Sequence, residues 1–111
     1  MSEDRLQQEC YLWFHNKYPL LRGLLNYNLN NSANVLQGKK NKSMGLQKGR
    51  SDLVFYYDGK AYMIEMKTLK GYQSTKQEHW QRLIELAGFE YYIIRTKEQF
   101  ISTIENILKN S

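Results

Sequence analysis

Residues 49–67 read GRSDLVFYYDGKAYMIEMK and form the most informative part of the chain. Within them, residues 52–57 and 60–67 are rich in aromatic and other apolar side chains and are predicted to be strands. Asp58-Gly59 separates the two segments, and this dipeptide is a strong signal for a two-residue hairpin turn. The sequence therefore predicts an antiparallel hairpin at this point.

Three ionisable side chains are expected to meet at the open end of this hairpin. Side chains alternate between the two faces of a strand, so Glu65 and Lys67 share a face. Asp52 opens the partner strand and, counted back from the turn, lies near the end that carries Glu65 and Lys67. The pattern thus predicts two carboxylates and one amine close together.

The rest of the chain supplies further helices and strands around the hairpin. Apolar spacing and turn residues predict helices over 3–17, 75–87 and 97–109, and strands over 24–29 and 90–95. Near 33–43 a short helix and a loop both remain open. The order is α-β-(α)-β-β-α-β-α, which predicts an α/β layered fold.

The predicted helices carry apolar stripes and capping signals. The expected core stripes are Leu6, Cys10, Trp13 and Phe14, then Trp80, Leu83, Ile84 and Ala87, then Phe100, Ile101, Ile104, Ile107 and Leu108. Ser74 with Gln77, and Thr96 with Gln99, have the spacing of capping boxes.

The composition excludes several classes of protein. The 111 residues are 41% hydrophobic and 14% aromatic, which is typical of a globular chain rather than a disordered one. A single cysteine excludes an internal disulfide and a cysteine-rich zinc site, and no apolar run has the length of a membrane helix. No G-x-x-x-x-G-K-[ST] loop is present, so no nucleotide cofactor is expected. We expect one domain over residues 1–111, located in the cytoplasm.

The formal net charge of +5 favours a polyanionic partner. Residues 31–51 contain no acidic residue and five cationic ones: Lys39, Lys40, Lys42, Lys48 and Arg50. By charge alone, a solvated loop and an arm that contacts phosphates are equally compatible with this segment.

The group formed by Asp52, Glu65 and Lys67 suits metal-dependent hydrolysis of phosphodiesters. Two carboxylates can hold Mg²⁺, which prefers oxygen ligands and keeps several waters. Such a metal polarises a phosphoryl oxygen and lowers the pKa of a bound water. Lys67 would then position that water or stabilise the growing negative charge. The alternative for an isolated E-x-K strand is a surface salt-bridge face.

Two more polar residues lie on the inner faces of helices. Glu3 falls within the apolar stripe of the first helix, where it either caps the helix or points into a polar site, with Glu9 as the rival acidic residue. Gln77 faces the core side of residues 75–87 and also completes a capping box. A cap and a role in orienting water are compatible for Gln77, and Gln81 is the alternative.

With these residues in place, nearly the whole chain resembles the virus-type replication-repair nuclease (VRR-Nuc) domains of the PD-(D/E)xK nuclease superfamily. The resemblance rests on the order and spacing of five motifs: E-x-x-L-Q at residues 3–7, M-G-L-x-x-G-x-x-D-L at 44–53, E-x-K at 65–67, S-x-x-Q-x-x-W at 74–80 and A-G-F at 87–89. One position departs from the pattern, because Ser51 stands where the family often has Pro before the aspartate.

The resemblance implies a role for each matching residue. Asp52 and Glu65 would bind Mg²⁺ or Mn²⁺ with the Met66 backbone carbonyl, and Glu3 would add a carboxylate directly or through water. Lys67 would be the active-site lysine, and Gln77 the polar residue that follows the E-x-K strand. The resemblance also favours a DNA-contacting role for the basic residues Lys39, Lys40, Lys42, Lys48, Arg50 and Lys70.

The resemblance further implies a restriction-endonuclease-like core, with a central mixed β-sheet flanked by helices, and a metal-dependent DNA endonuclease of the stand-alone phage or prophage type. Branched DNA is the implied substrate, with Holliday junction resolution as the leading activity. Symmetric cutting of a junction needs two active sites, so a homodimer is expected. Its face would draw on exposed members of Tyr56, Tyr57, Tyr62, Tyr72, Tyr91 and Tyr92, unless these pack within the sheet. The alternatives are a non-catalytic basic DNA-binding module and a flap or nicking nuclease.

Overall fold

The computed structural model describes residues 1–29 and 34–111. Over these residues the chain forms four α-helices and four strands in the predicted order, with a short 3-10 helix at Pro19–Leu21. The elements are α1 (Glu3–Lys17), β1 (Leu25–Tyr27), α2 (Val35–Ser43), β2 (Leu53–Tyr57), β3 (Lys60–Met66), α3 (Thr75–Leu86), β4 (Glu90–Ile94) and α4 (Lys97–Lys109). The segment left open near 33–43 is helical from Val35, and residue 33 lies outside the described part.

The strands form one sheet in the order β1-β2-β3-β4. β1 is antiparallel to β2 and β2 to β3, whereas β3 and β4 are parallel and are connected through α3. The sheet is therefore mixed and flanked by helices, as predicted.

The predicted two-residue turn joins β2 to β3. Asp58 and Gly59 have φ of 52° and 74°, the left-handed pair of a type I′ turn, whose twist matches that of the two strands. The turn sets the register in which Leu53 lies opposite Ile64. The beginning of β2 and the end of β3 therefore lie at the same edge of the sheet.

One face of the sheet holds the main core, under α1 and α4. Its fully buried members include Cys10, Phe14, Leu53, Phe55, Ile64, Phe100 and Ile104. The Phe14 and Phe55 rings meet edge-on with centroids 5.4 Å apart, a favoured aromatic geometry. Burial raises the pKa of the Cys10 thiol to about 12, so Cys10 is a protonated core residue.

The opposite face carries a smaller apolar cluster, and here the predicted helical stripe is partly wrong. Trp80 and Ile84 of α3 pack against the buried Val54, Met63 and Tyr91. Leu83 and Ala87, however, are exposed, because α3 covers only this short cluster. The rest of the sheet face beneath the helix is taken by polar side chains at the ends of the strands.

Candidate active site

Asp52, Glu65 and Lys67 come together where β2 begins and β3 ends. Asp52 is the residue before β2, and the hairpin register continued by one position places it opposite Glu65. Asp52 Oδ2 accepts a hydrogen bond from the Met66 backbone N–H at 2.6 Å. The bond fixes this carboxylate against the end of β3, so the convergence predicted from the hairpin is present.

Asn28, which sequence reasoning missed, holds the backbone of this segment. Its N–H donates to the Asp52 carbonyl at 2.8 Å, and its side-chain Nδ2 donates to the Ser51 carbonyl at 3.2 Å. Ser51 is fully buried, and its hydroxyl donates to the Leu53 carbonyl at 3.0 Å. With Ser at position 51, local hydrogen bonds therefore order the segment that leads into β2.

Burial raises the pKa of the Asp52 carboxyl above its ordinary value of 3.8. The negative charges of Glu65 and Glu3 raise it further, while the Met66 N–H and the Lys67 ammonium oppose the shift. Glu3 is thus close enough to act electrostatically on Asp52. The rival Glu9, which is half-buried, instead pairs with Arg5 of the same helix at 3.1 Å.

Glu65 is fully buried and its two oxygens have different surroundings. Oε1 accepts hydrogen bonds from the Tyr91 hydroxyl at 2.5 Å and from Gln73 Nε2 at 3.0 Å. Oε2 has no hydrogen-bond partner, and the Lys67 ammonium lies 3.9 Å from it. A buried acceptor left without a donor is unfavourable. Oε2 is therefore an oxygen suited to a cation.

Lys67 is also nearly buried, and a helix cap holds its ammonium in place. Its Nζ donates to Gln77 Oε1 at 3.0 Å, and the same oxygen accepts the Ser74 backbone N–H at 2.8 Å. One amide oxygen therefore both caps α3 and fixes the lysine, and the role of Gln77 in orienting water stays a prediction. Gln81, the alternative, bonds to Gln73 and has no direct bond to Lys67.

Gly49 brings the preceding loop against the start of α3. Its φ is +82°, and a Cβ there would lie 2.5 Å from the Lys76 carbonyl oxygen. Any larger residue would push this loop away from α3, and with it the segment that leads into Asp52. The close approach explains the glycine of the G-x-x-D element.

The donor set fits a hard divalent cation. Asp52, Glu65 and the nearby Glu3 supply only oxygen ligands, as Mg²⁺ and Mn²⁺ prefer. Within residues 1–29 and 34–111, no three His, Cys, Asp or Glu side chains form a ready-made metal cage. A pair of carboxylates such as Asp52 and Glu65 would suit an ion that keeps several of its waters.

The six basic residues predicted to contact DNA differ in their surroundings. Lys39, Lys40 and Lys42 project from α2, which has no buried residue, and Lys48 is likewise exposed. Arg50 is half-buried just before Asp52, and exposed Lys70 lies in the loop after β3. Arg50 and Lys70 are thus close to the site residues in the sequence, whereas the three lysines of α2 are exposed on a separate helix.

Arg95, also missed, secures the loop that carries Lys70. One guanidinium nitrogen donates to the Thr68 carbonyl at 2.7 Å and to the Gly71 carbonyl at 2.8 Å.

Tyr62 and Tyr91 are buried and are therefore excluded from the predicted dimer face, whereas Tyr56 and Tyr72 are exposed. No signal in the local sequence identifies Arg95 or Tyr91, because their partners are distant in the sequence, in the loop after β3 for Arg95 and on β3 for Tyr91.

No protein-family model matches the sequence, and no curated protein matches it. A solved structure described as a VRR_NUC domain protein superposes on this chain with a TM-score of 0.80. The two are 19% identical, and the match covers 98% of this chain and 89% of the other. The chain therefore has the VRR-Nuc, restriction-endonuclease-like fold. In the described residues, no helix is both long and apolar enough to span a membrane.

In metal-free protein, we expect Asp52→Asn to raise the unfolding temperature at neutral pH. The raised pKa of Asp52 means that its contribution to stability is present below its ordinary pKa of 3.8 and is lost as pH rises through the raised value. Asn keeps an oxygen for the Met66 N–H without the charge. Thermal unfolding in EDTA, from about pH 4 to about pH 8, should show a gain that grows with pH.

Asp58→Asn is the matched control, because Asp58 is exposed at the far end of the same hairpin. We expect no comparable pH-dependent gain from it. A gain for Asp52→Asn that stays constant over the whole pH range would contradict the explanation by titration.

Proposed function

We propose that this chain is a Mg²⁺- or Mn²⁺-dependent endonuclease that hydrolyses phosphodiester bonds in branched DNA, with residues 1–111 acting as one nuclease domain. The observation that carries the proposal is the buried Oε2 of Glu65, which has no hydrogen-bond donor and lies 3.9 Å from the Lys67 ammonium, at the strand end where Asp52 is anchored. The VRR-Nuc fold supports the reaction class.

In this proposal the metal ligands are Asp52, Glu65 through Oε2 and the Met66 carbonyl, with Glu3 contributing directly or through water. Bound there, the ion would polarise the phosphate and lower the pKa of a coordinated water. Asp52 is held in place by the Met66 N–H, and Glu65 by Tyr91 and Gln73. Little rearrangement of these side chains is then needed on binding.

Lys67 would stabilise the negative charge that develops on the phosphoryl oxygens. Its ammonium is held by Gln77 on one side and faces Glu65 on the other, so its position is set before substrate arrives. Gln77 acts through Lys67 in this scheme and is a positioning residue. Hydrolysis adds the water oxygen to phosphorus, breaks one P–O ester bond and transfers one proton to the departing oxygen.

The basic residues would bind the DNA backbone on both sides of the site. Arg50 and Lys70 flank the carboxylates in sequence and would contact phosphates near the cut. Lys39, Lys40, Lys42 and Lys48 would extend the contact along α2 and its following loop, where their side chains are exposed. Contacts to phosphates do not distinguish one base sequence from another, which suits an enzyme that recognises the shape of DNA.

A homodimer would place two such sites around one junction, as two symmetric cuts require. Leu83, Leu86 and Phe89 support this part of the proposal, because they are exposed apolar side chains on or just after α3. A second copy would cover them. An enzyme with this substrate would work where the DNA is, in the cytoplasm of a host cell if a phage encodes it.

The proposal is tested by cleavage of a synthetic four-way junction, a 5′ flap and a plain duplex, with Mg²⁺, Mn²⁺ or EDTA. We expect paired symmetric cuts in the junction with either metal and none in EDTA. Lys67→Ala should slow cutting by at least about 10²-fold through loss of charge stabilisation. The control is Lys109→Ala, because Lys109 is exposed at the C-terminal end of α4. This variant should cut DNA at the wild-type rate.

Each other outcome assigns a different activity. Flap cutting alone would keep the nuclease and remove the need for a dimer. Tight junction binding without cleavage under either metal would refute the nuclease and favour a non-catalytic DNA-binding module.

Gln77→Ala is expected to slow cleavage by more than its effect on stability explains. Gln99→Ala is the matched control, because Gln99 completes the equivalent capping box of α4 and has no bond to Lys67. Each variant should lose about 1 kcal/mol of unfolding free energy with its cap. Cleavage measured well below the unfolding temperature should fall only for Gln77→Ala. An equal fall in both variants would mean that the cap alone matters.

Replacing Lys39, Lys40 and Lys42 together with Gln should weaken binding of the uncleaved junction in EDTA. Three lost phosphate contacts should make the slope of log affinity against log salt shallower by about 2–3. The control is the triple Gln variant of Lys17, Lys60 and Lys109, which are exposed and lie at the opposite end of their elements from the carboxylates. Equal losses in the two triple variants would indicate an effect of net charge and would exclude a specific α2 contact.

A further inference from the structure

The two oxygens of Glu65 are made unequal by donors from two other parts of the chain. Tyr91 reaches Oε1 from β4, and Gln73 reaches the same oxygen from the loop before α3. Both donors leave Oε2 untouched, although it is equally buried. Oε1 is thereby occupied in the folded protein, whereas Oε2 has no hydrogen-bond donor and only the Lys67 ammonium 3.9 Å away.

The Gln73 amide is locked in the orientation that this arrangement needs. Its Nε2 donates to Glu65 Oε1 at 3.0 Å and to Gln81 Oε1 on α3 at 2.8 Å, so both N–H groups are used. Gln81 in turn donates to Glu85 at 3.4 Å. Turning the Gln73 amide over would break two hydrogen bonds and set its oxygen against a carboxylate.

The Tyr91 side chain is equally constrained. It is 9% exposed and its ring packs edge-on against Trp80, with centroids 6.0 Å apart. Tyr91 and Glu65 lie on the same face of neighbouring parallel strands, since Met63 is the register partner of Tyr91. The pairing of β3 with β4 therefore positions the Tyr91 hydroxyl beside Glu65 Oε1.

We propose that Tyr91 and Gln73 restrict Glu65 to one-oxygen ligation and thereby make the site select small octahedral ions, Mg²⁺ and Mn²⁺, against Ca²⁺. Mg²⁺ demands near-ideal octahedral geometry, whereas Ca²⁺ takes six to eight oxygens and accepts bidentate carboxylates. A carboxylate with one oxygen already occupied serves the smaller ion better. The inference rests on the proposed function, because it assumes that Glu65 is a metal ligand.

The test measures Mn²⁺ and Ca²⁺ dissociation constants by titration calorimetry on the metal-free full chain without DNA. Tyr91→Phe removes one of the two donors to Oε1, and the double variant Tyr91→Phe/Gln73→Met removes both. We expect Mn²⁺ affinity to fall about tenfold, as for other losses of a partner that orients a ligand. Ca²⁺ affinity should fall less or rise, so the preference for Mn²⁺ shrinks, most in the double variant.

Tyr92→Phe is the matched control. Tyr92 is the next residue of β4, and its hydroxyl donates to the Glu90 carboxylate at 2.5 Å, away from Glu65. The substitution removes the same group from the same strand and should leave both dissociation constants unchanged. Gln73→Met alone provides a second route if Tyr91→Phe folds poorly, and thermal unfolding monitors every variant.

The outcomes separate this inference from the proposed function. Equal losses of Mn²⁺ and Ca²⁺ affinity, or a lower unfolding temperature with an unchanged preference, would assign Tyr91 and Gln73 a purely structural role and overturn the inference. Wild-type protein that binds neither ion would overturn the metal-dependent function as well. The inference is supported if Tyr91→Phe and the double variant show a reduced preference for Mn²⁺ over Ca²⁺ and Tyr92→Phe does not.

Discussion

A carboxylate buried at the end of a central strand is the constraint on which the rest of the structure depends. Glu65 is fully buried, and an ionised carboxylate in that position is tolerated only with donors or cations around it. Tyr91, Gln73 and Lys67 supply these from β4, from the loop after β3 and from β3 itself. The supply of donors is incomplete at Oε2, and in the proposed function a cation would complete it.

One face of the sheet holds the main apolar core, and the other holds the candidate active site. The face under α1 and α4 is an apolar core centred on Phe14, Phe55 and Phe100. The face under α3 has a small apolar cluster, beyond which the strands end in charged residues. Burial of the Asp52 carboxylate on that second face disfavours its ionised form in the metal-free protein, whereas the packed core on the first face stabilises the fold.

Local patterns account for what the sequence predicts correctly. The Asp58-Gly59 turn, the shared face of Glu65 and Lys67 and both capping boxes follow from neighbouring residues. Asn28, Tyr91 and Arg95 were missed because their partners depend on the pairing of distant strands, which local periodicity does not specify. The exposure of Leu83 has a similar cause, since an apolar helical stripe does not reveal whether anything covers it.

The Gln77 side-chain oxygen accepts hydrogen bonds from both Ser74 and Lys67. It therefore couples the fraying of the α3 N-terminus to the positioning of the Lys67 ammonium. Fraying of the first turn of α3 is a low-energy opening in most helices. In this protein the same opening releases the lysine ammonium from its fixed position. The population of the intact helix end thus sets an upper limit on the population of the assembled site. A molecule that binds and orders the α3 N-terminus would raise that limit without touching either carboxylate.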